Sequence, residues 1–339
     1  MVSVSVAPRC RLAGDGGRRG SALQATVAVP GGTAKQKYCC HEAGGCAPAS
    51  RRADTEVPAF AVYRCAMADI VATDMDRLVS GAEAAADVAG AVVRPFFRAG
   101  LGAEQKADRS PVTIADRTAE QAMRAVLAER FPDHGVLGEE FGLDRPQARF
   151  RWVLDPIDGT RAFITGRPTF GTLVALLDGG RPILGVIDQP VTRERWIGAA
   201  GRRTTFRGPL GGRAGCRPCA TLAEAELSCT SAEMMEGDPW PRWRRLAAAV
   251  RRNYWGGDCY AYGLLALGQI DVVAECQMKL WDWAALVPVV EGAGGRVTDW
   301  SGTPLRPDGD GSVLAVGDPA LLAPAVACLT EASVAPGAA

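Results

Sequence analysis

The sequence predicts a layered α/β fold in two tightly joined halves. Blocks of apolar residues with helical spacing alternate with short apolar runs typical of buried strands, and neither a fixed-period repeat nor a long linker interrupts this order. The 339 residues, 47% of them hydrophobic, suffice for one large core or two closely packed ones. We therefore expect sheets and helices that alternate in layers.

Composition argues against two classes of partner. No run approaches the roughly 18 unbroken apolar residues that a membrane span requires. The 38 Lys and Arg residues balance the 38 Asp and Glu residues, so no net positive charge would attract nucleic acid. We therefore expect no membrane span and no nucleic-acid partner, and any charged ligand has to be recognised locally.

The first fifty residues differ from the rest of the chain. They contain six basic residues but only two acidic ones, Asp15 and Glu42, among many Ala, Gly, Ser and Val. Organelle presequences are Arg-rich, contain Ser and are poor in acidic residues. We predict a disordered transit peptide over about residues 1–65, removed somewhere between residues 50 and 70, and hence a protein of the chloroplast stroma. A disordered tail that is never cleaved is the alternative.

The eleven cysteines do not indicate a disulfide framework, since five lie in or beside this leader and six are scattered through the body. "CCHEAGGC" (39–46) lacks the second paired half of a metal site. "CRPC" (216–219) has the spacing of a redox pair, but it does not follow a strand at the start of a helix, where a thiolate would be stabilised. We expect a surface loop with incidental cysteines, and a thiol redox protein that uses Cys216 and Cys219 is the alternative.

Helical spacing predicts two helices in the first half. The first covers 78–97, with Pro95 near its end, and the second covers 116–131, where Pro132 stops it. A short extended piece is expected around 112–114. Asp116 would then lie at the start of the second helix.

Four apolar runs follow as predicted strands. "GVLG" (135–138) and "RWVL" (151–154) each lead directly into carboxylates. "GTLVALL" (171–177) and "PILGVID" (182–188) are separated by Asp-Gly-Gly, which is a hairpin signal. We expect the last two strands to pair antiparallel.

The second half alternates strands and helices. Its predicted elements are strand "ELSCTS", a helix near 240–250, helix "AYGLLALG", strand "IDVVAE", helix "WDWAALVPVVEGAGG", strand "SVLAV" and helix "DPALLAPAVACL". We place one large folded domain at 70–332, with halves at about 70–200 and 201–332. A disordered tail is expected at 333–339.

Several carboxylates stand at the ends of these elements. Taken singly, each is explained by a helix cap or a polar turn. Taken together, the ends of adjacent buried strands meet at one edge of a sheet, where gathered carboxylates repel one another unless cations neutralise them. Oxygen ligands of this kind suit Mg²⁺, which often works with substrate phosphates. The residues concerned are Glu139, Glu140, Asp155, Asp158 and Asp282.

The segment "DPIDGT" adds a reason for a phosphate site. Pro156 fixes φ and lacks a donor, so we expect the chain to leave the strand ladder there and to turn both aspartates and the Ile157 carbonyl toward one place. Gly159 and Thr160 would then offer backbone N–H groups to a phosphate oxygen at a helix start.

Competing acidic and nucleophilic motifs do not fit. The second aspartate of "DPID" is one position too late for an EF-hand loop, and the pair is one residue too widely spaced for a phosphatase with an aspartyl nucleophile. No phosphate-gripping "GxxxxGK[ST]" occurs. His41 and His134 are the only histidines, which leaves little for a nucleophile activated by histidine.

The motifs "SPVTIAD", "GEE", "DPIDGT" and "WDWAALVPVVEGAGG", in this order, resemble the lithium-sensitive, magnesium-dependent phosphatase family typified by inositol monophosphatase. The resemblance covers about Leu78 to Leu329. "LGVIDQPVTRERWIG" and "YWGGDCYAYGLLALGQIDVV" are most similar to the histidinol-phosphate phosphatases of that family, including those of plant and algal plastids. The resemblance implies an alternating αβαβα sandwich and a homodimer.

The resemblance also implies roles for individual residues. Two Mg²⁺ ions would be bound by Glu139, Asp155, the Ile157 carbonyl, Asp158 and Asp282, with a weaker third site beside Asp116. Thr160, hydrogen-bonded toward Asp116, and Glu139 would orient and deprotonate the attacking water. The substrate would be contacted by Asp158, Gly159, Thr160, Arg161, Gly257, Asp258, Glu275 and Asp282.

The expected reaction is hydrolysis of the phosphate monoester histidinol phosphate, a step of histidine biosynthesis, with no covalent enzyme intermediate. Asp258 and Glu275 could pair with the ammonium and imidazole groups of that substrate, although inositol hydroxyls would satisfy them as well. An inositol monophosphatase, a bisphosphate nucleotidase and a catalytically inactive regulatory protein are the alternatives. Leu280 and Trp281, bulky residues just before Asp282, depart from the usual pattern and bear on fine specificity.

Overall fold

The structure, a computed structural model, describes residues 74–99 and 114–330. The predicted transit peptide, the extended piece up to residue 113 and the C-terminal tail lie outside those residues. The domain boundaries placed near residues 65, 70 and 332 do so too, and these expectations stay predictions.

The helices occur in both halves of the described chain. Short 3-10 turns accompany them at Arg94–Phe96, Leu222–Glu224, Ala232–Met235 and Pro319–Leu321. The helices are α1 (Ala59–Val93, described from Asp74), α2 (Ile114–Arg130), α3 (Thr160–Ile164), α4 (Pro239–Ala249), α5 (Asp258–Ala266), α6 (Leu280–Trp283), α7 (Leu286–Gly292) and α8 (Leu322–Thr330).

Two larger sheets lie within the described residues. The first is seven-stranded, with the order β7-β6-β5-β4-β3-β1-β2. Its strands are β1 (Gly135–Gly138), β2 (Gly142–Asp144), β3 (Phe150–Asp158), β4 (Gly171–Asp178), β5 (Arg181–Gln189), β6 (Glu194–Ala199) and β7 (Thr205–Arg207). The second is five-stranded, with the order β9-β8-β10-β12-β11. Its strands are β8 (Glu226–Cys229), β9 (Arg252–Trp255), β10 (Val272–Glu275), β11 (Arg296–Thr298) and β12 (Val313–Val316).

The sheets and helices form five alternating layers. One core cluster fills the space between the two sheets, where Val153 of β3 and Val273 of β10 pack with Tyr262 of α5 and Val289 of α7. A second cluster lies on the other face of the five-stranded sheet, against α4 and α8. On the outer face of the seven-stranded sheet, the rings of Trp152 and Phe131, just after α2, lie 5.2 Å apart. The predicted layered α/β sandwich is confirmed.

The predicted hairpin is confirmed. Strands β4 and β5 pair antiparallel from Thr172 opposite Asp188 to Asp178 opposite Arg181. The two turn residues, Gly179 and Gly180, have φ values of 57° and 90°, which glycine adopts without steric strain.

Register brings two predicted site acids side by side. Strands β1 and β3 are parallel neighbours, with Gly138 opposite Leu154, and the N–H of Glu139 donates to the Leu154 carbonyl at 3.3 Å. The next residues along the two strands are therefore Glu139 and Asp155. The two acids therefore lie side by side on neighbouring strands, although Asp155 lies within β3 and only Glu139 follows a strand end.

The expectation for Pro156 was partly correct. The ladder is interrupted at Pro156 and Ile157, and Asp155 and Asp158 do converge, but the strand does not end there, since β3 continues to Asp158. Pairing resumes with Gly171 opposite Asp158, so Pro156 and Ile157 together face Thr172 alone, as in a β-bulge. Pro156 cannot donate, but its carbonyl accepts a 2.7 Å hydrogen bond from the Thr172 hydroxyl.

The single helix predicted over 281–295 was also wrong, since it is divided into α6 and α7. Pro288 has no N–H to donate to the Ala284 carbonyl, and its ring crowds that carbonyl in a continuous helix. Asp282 therefore lies in a separate, four-residue helix. Similarly, α1 ends at Val93, before Pro95 and short of the predicted residue 97.

Within the described residues, no helix combines the length and the hydropathy that crossing a bilayer would require.

Candidate active site

Three predicted metal ligands converge in the structure. Asp155 and Asp158 come from β3, and Asp282 comes from α6. One carboxylate oxygen of each lies within 4.8 Å of those of the other two. Oxygen donors at this spacing can share a divalent cation.

Asp155 lies deepest in the cluster, and its side chain is buried. Its Oδ1 accepts a 3.0 Å hydrogen bond from the N–H of Ile157, which fixes the bulge described above. Burial raises the pKa of Asp155 well above its usual value, and the charges of four other acids raise it further: Glu139, Asp158, Asp116 and Asp282. Ionisation of this carboxyl group is therefore less favourable than that of an exposed aspartate.

Asp158 is held by the start of helix α5. The N–H of Cys259 donates to its Oδ2 at 2.7 Å. Burial raises the pKa of Asp158, with further contributions from the charges of Asp282 and Asp258, while Cys259 opposes the shift.

Asp282 is oriented within α6. The N–H of Lys279 donates to its Oδ2 at 2.6 Å, which caps this short helix. Burial raises the pKa of Asp282 to about 7, the Lys279 hydrogen bond opposes the shift, and the charge of Glu139 adds to it. The group therefore changes its protonation near neutral pH in the metal-free protein.

Glu139 and Asp116 border this cluster. Glu139 lies in the turn after β1, and its charge raises the pKa of both Asp155 and Asp282. Asp116 lies in the first turn of α2, is buried, and raises the pKa of Asp155. The structure thus brings together acids from four places in the chain: α2, the turn after β1, β3 and α6.

The cluster fits a divalent cation on its own chemistry. Buried carboxylates this close repel strongly, and their raised pKa values show that the fold alone does not compensate their charges. All of the donor atoms are oxygens, which are the ligands that Mg²⁺ prefers. Zn²⁺ sites, in contrast, are usually built from His nitrogen and Cys sulfur atoms.

The Gly159–Thr160 step lies beside the cluster, as predicted, at the start of α3. Gly159 has φ 80°, a left-handed conformation that favours glycine, and Thr160 is the first residue of the helix. The Thr160 hydroxyl donates to the Ile157 carbonyl at 3.2 Å. Its expected hydrogen bond to Asp116 stays a prediction.

Asp258 packs directly on Gly159. A Cβ at position 159 would approach the Asp258 carboxylate carbon to 2.7 Å, so only glycine fits. Asp258 is 9% exposed, and its Oδ2 accepts a 3.0 Å hydrogen bond from the Thr169 hydroxyl. Burial raises its pKa, opposed by the Thr169 hydrogen bond and by the charges of Arg167 and Arg161.

Glu275 is more enclosed than the sequence suggested. It is 2% exposed, and both oxygens already accept hydrogen bonds, from the Thr230 N–H at 2.7 Å and the Tyr262 hydroxyl at 2.9 Å. Burial raises its pKa. Its charge contributes to the raised pKa of Asp282, which places it near the cluster.

Arg161 is turned toward another partner. Its guanidinium pairs with Glu233, and 71% of its side-chain surface is exposed. Gly257, the residue before α5, borders a cavity of about 470 Å³ that is also lined by Thr169 and the rings of Tyr254, Trp255 and Tyr260. This cavity adjoins Asp258.

The sequence reasoning missed several residues that hold the site. Thr169, Thr230 and Tyr262 support Asp258 and Glu275 through side-chain or backbone hydrogen bonds. Thr230 carried a signal of the kind used for the acids, since it is a polar residue just after a strand. Thr169 and Tyr262 carried none, because their partners lie far away along the chain.

The two cysteines of "CRPC" are poorly suited to redox chemistry. Burial raises the pKa of Cys216 to about 11, and it raises that of Cys219 as well. Both are free thiols in an irregular segment, but Cys219 is buried, so the expected surface loop was only partly correct.

A layered α/β fold that gathers buried and partly buried carboxylates at the ends of β1 and β3, beside the Gly159–Thr160 helix start, defines a metal-dependent hydrolase of the kind that acts on phosphate esters. The chain belongs to the inositol monophosphatase family, whose model matches residues 74–334. It is therefore a phosphatase that hydrolyses phosphoric monoesters.

Individual relatives carry phosphatase names. The chain is 47% identical over 232 residues to "Bifunctional phosphatase IMPL2, chloroplastic" of Arabidopsis thaliana, an alignment that spans 68% of this chain and 66% of that protein. It is 38% identical over 224 residues to a histidinol-phosphatase of Mycobacterium tuberculosis, which spans 65% of this chain and 86% of that protein.

Solved structures show the same fold. An inositol monophosphatase from Zymomonas mobilis is 48% identical and superposes with a TM-score of 0.68 over 75% of this chain and 97% of that one. An inositol monophosphatase from Anabaena is 27% identical, with a TM-score of 0.66 over 76% and 96% of the two chains.

Proposed function

We propose that this phosphatase converts histidinol phosphate to histidinol and phosphate with Mg²⁺. The observation that carries the proposal is Asp258, a nearly buried carboxylate that packs on Gly159 beside the acidic cluster and can pair with a cationic leaving group. Relatives named histidinol-phosphatase, 38% and 37% identical to this chain, support the same substrate.

In the proposed site, Mg²⁺ is held by Glu139, Asp155, the Ile157 carbonyl, Asp158 and Asp282, with Asp116 bordering a further ion. Bound there, it would supply Lewis-acid polarisation of the phosphoryl oxygens and a lower pKa for the attacking water. Phosphate monoester hydrolysis requires accelerations of up to about 10²¹, so both charge neutralisation and positioning are needed.

The protein's own groups position the reactants. The Glu139 carboxylate accepts the proton of the attacking water, and the Thr160 hydroxyl orients that water. The N–H groups of Gly159 and Thr160 bind phosphate oxygens. Arg161 leaves Glu233 for the phosphate when substrate is present.

The leaving group would lie toward Asp258 and Gly257. Asp258 accepts a charge-assisted hydrogen bond from the ammonium or the imidazole. The adjoining cavity of about 470 Å³, with its aromatic rings, leaves room for a planar ring. Glu275, held by Tyr262, adds negative potential on the same side.

We further propose that the protein acts in the chloroplast stroma as a homodimer, after removal of an N-terminal transit peptide. The name of the Arabidopsis relative, which includes "chloroplastic", supports the compartment. The acid-poor first fifty residues support it as well.

The proposal is tested by measuring kcat/KM with Mg²⁺ on histidinol phosphate, inositol 1-phosphate and 3′-phosphoadenosine 5′-phosphate. We expect the highest value on histidinol phosphate. A higher value on either of the other two substrates would contradict the assignment.

Inositol phosphate hydrolysis is the second candidate. It is favoured by the 48% identity to the Zymomonas inositol monophosphatase. The word "bifunctional" in the name of the Arabidopsis relative also keeps a second substrate open. The same three-substrate comparison separates the candidates.

A further inference from the structure

Helix α2 carries three charged side chains one turn apart on one face: Asp116, Glu120 and Arg124. Asp116 borders the carboxylate cluster. Glu120 is fully buried, yet the phosphatase chemistry described above gives it no role. A fully buried carboxylate is costly unless it is paired and hydrogen-bonded. Its partners therefore indicate what it is for.

Glu120 holds the turn that presents Glu139. Its Oε2 accepts a 2.7 Å hydrogen bond from the N–H of Glu140, the residue next to Glu139. Its Oε1 accepts a 2.7 Å hydrogen bond from Arg124 Nε, and Arg124 also donates to the Gly142 carbonyl. The pair thus holds Glu140, in the connection between β1 and β2, and Gly142, the first residue of β2.

Gly138 leaves the space for this carboxylate. Any Cβ at position 138 would overlap the Glu120 carboxylate, and the backbone there is ordinary strand. A larger residue at this position would therefore displace the Glu120 carboxylate from its place, although φ is ordinary here. Gly138 of β1 and the buried Glu120 carboxylate thus pack directly against each other.

We propose that Glu120 is a positioning residue: its carboxylate fixes the 139–141 turn and thereby the Glu139 side chain beside Asp155. The inference rests on the proposed function, in which Glu139 binds Mg²⁺ and takes the proton of water. Glu139 is the first residue of the turn after β1: its N–H donates to the Leu154 carbonyl, and Glu120 holds the next residue, so the side chain of Glu139 projects from a turn fixed on both sides. A misplacement of about 1 Å at a reacting group can cost about 100-fold in rate.

The chain offers a matched control in Asp271. This carboxylate is also buried, also accepts a backbone N–H, that of Glu226 at 2.8 Å, and also pairs with an arginine, Arg217. It lies before β10, at the end of that strand away from Glu275. Asp271→Asn therefore removes the same kind of interaction away from the metal cluster.

The test compares Glu120→Gln with Asp271→Asn in the full-length protein. Mg²⁺ affinity is measured by calorimetry. Stability is measured by urea unfolding in the presence of chelator, and protection of the Glu140 amide is measured by hydrogen–deuterium exchange. Both variants should lose stability. Only Glu120→Gln should weaken Mg²⁺ binding, by about tenfold or more, and expose the Glu140 amide to faster exchange.

Kinetics supply a further readout. At saturating Mg²⁺, Glu120→Gln should lower kcat by about 10- to 100-fold and leave the KM for histidinol phosphate within about twofold. If Glu120→Gln does not fold, Arg124→Lys replaces it. Lysine keeps the charge but cannot bond to Glu120 and to the Gly142 carbonyl through two nitrogens, so Mg²⁺ affinity and kcat should fall in the same direction but less.

The inference is overturned if Glu120→Gln binds Mg²⁺ like the unchanged protein, or if Asp271→Asn weakens Mg²⁺ binding equally. Failure of the proposed function gives a different result. In that case the unchanged protein would bind Mg²⁺ but would not hydrolyse histidinol phosphate, and the comparison of Mg²⁺ affinities would still decide the role of Glu120.

Discussion

At the scale of single residues, the site holds several carboxylates close enough to repel one another. Asp155, Asp158 and Asp282 each have a raised pKa whose largest cause is burial, and the charges of neighbouring acids add to it. Groups arranged in this way oppose the stability of the metal-free fold and favour a bound cation. Function and stability are therefore expected to respond in opposite directions when one acid is neutralised.

Asp155→Asn tests this opposition. We expect kcat to fall by about 10³-fold or more, because a metal ligand and a central charge are lost. In chelator at pH 8, the free energy of unfolding should stay the same or rise by about 0.5–2 kcal/mol, because like-charge repulsion is removed. Activity assays and urea unfolding check the two parts.

The control for Asp155→Asn is Asp178→Asn, a carboxylate of the exposed ion pair with Arg149 at the far end of β4. It should leave kcat within about twofold. Near-normal activity of Asp155→Asn would remove this aspartate from the metal site.

Asp258→Asn tests substrate recognition. The neutral amide cannot form the same charge-assisted hydrogen bond, so kcat/KM on histidinol phosphate should fall by about 10- to 100-fold. The value on inositol 1-phosphate should change less, since hydroxyl groups can also donate to an amide oxygen. Equal losses on both substrates would show that Asp258 does not recognise the positively charged group of histidinol phosphate.

At the residue scale, the sequence predicted which acids would meet but not what holds them. Asp155, Asp158 and Asp282 could be found because strand and helix ends carry a local signal. Tyr262 and Thr169 could not, because their hydrogen bonds join residues brought together only by packing. Glu120 carries no local signal either, because its contacts with Gly138 and the Glu140 N–H join residues about twenty positions apart.

At the scale of elements, local chemistry predicted turns better than pairings. The Gly179–Gly180 turn fixed the β4–β5 hairpin, whereas the strands β2, β6, β7, β9 and β11 were missed. Pro288 was present in the predicted helix, but its effect was underestimated. Pro156 was overestimated, since a bulge accommodates a residue without a donor.

Close contact of α7 with the seven-stranded sheet gives a prediction for Gly185→Ala. A Cβ there would overlap the Ala285 carbonyl, and backbone cannot move aside as a flexible side chain can. We expect a loss of about 1–3 kcal/mol in the free energy of unfolding, measured with urea.

Gly215→Ala is the matched control for that substitution. No atom lies within 4 Å of a Cβ at position 215, so the change should stay within about 0.5 kcal/mol. If Gly185→Ala proves equally harmless, α7 does not pack on β5 as described.

At the scale of the whole molecule, the layers carry the site. The seven-stranded sheet supplies Asp155, Asp158 and Glu139, while α5 and α6, which lie between the two sheets or at their edge, supply Asp258 and Asp282. The layered order was predictable from alternating blocks of sequence. The register that places these acids together was not.

The global pH response follows from the cluster. Folded-state pKa values above the unfolded value of about 3.9 mean that the metal-free fold binds more protons than the unfolded chain. This stabilising effect is present at low pH and is lost as the pH rises through the folded pKa, about 7 for Asp282. With chelator, stability should therefore fall between pH 5 and 8.

Mg²⁺ should reverse that trend. At 100 times its dissociation constant, a ligand stabilises the fold by about 2.7 kcal/mol. Protons compete with Mg²⁺ for the same carboxylates, so the gain should be larger at pH 8 than at pH 5. Urea unfolding at several pH values, with chelator and with Mg²⁺, checks this. The double variant Asp155→Asn/Asp282→Asn should show a smaller fall of stability with pH in chelator than the unchanged protein. An unchanged slope in the double variant would contradict it.

The most direct test is a crystal structure of the protein with Mn²⁺ in place of Mg²⁺, located by anomalous scattering. We predict at least one ion bound within roughly 2.2 Å of carboxylate oxygens from Asp155, Asp158 and Asp282, with Glu139 beside it. Carboxylates that point to separate places with no ion between them, at Mn²⁺ concentrations that support hydrolysis, would contradict the account.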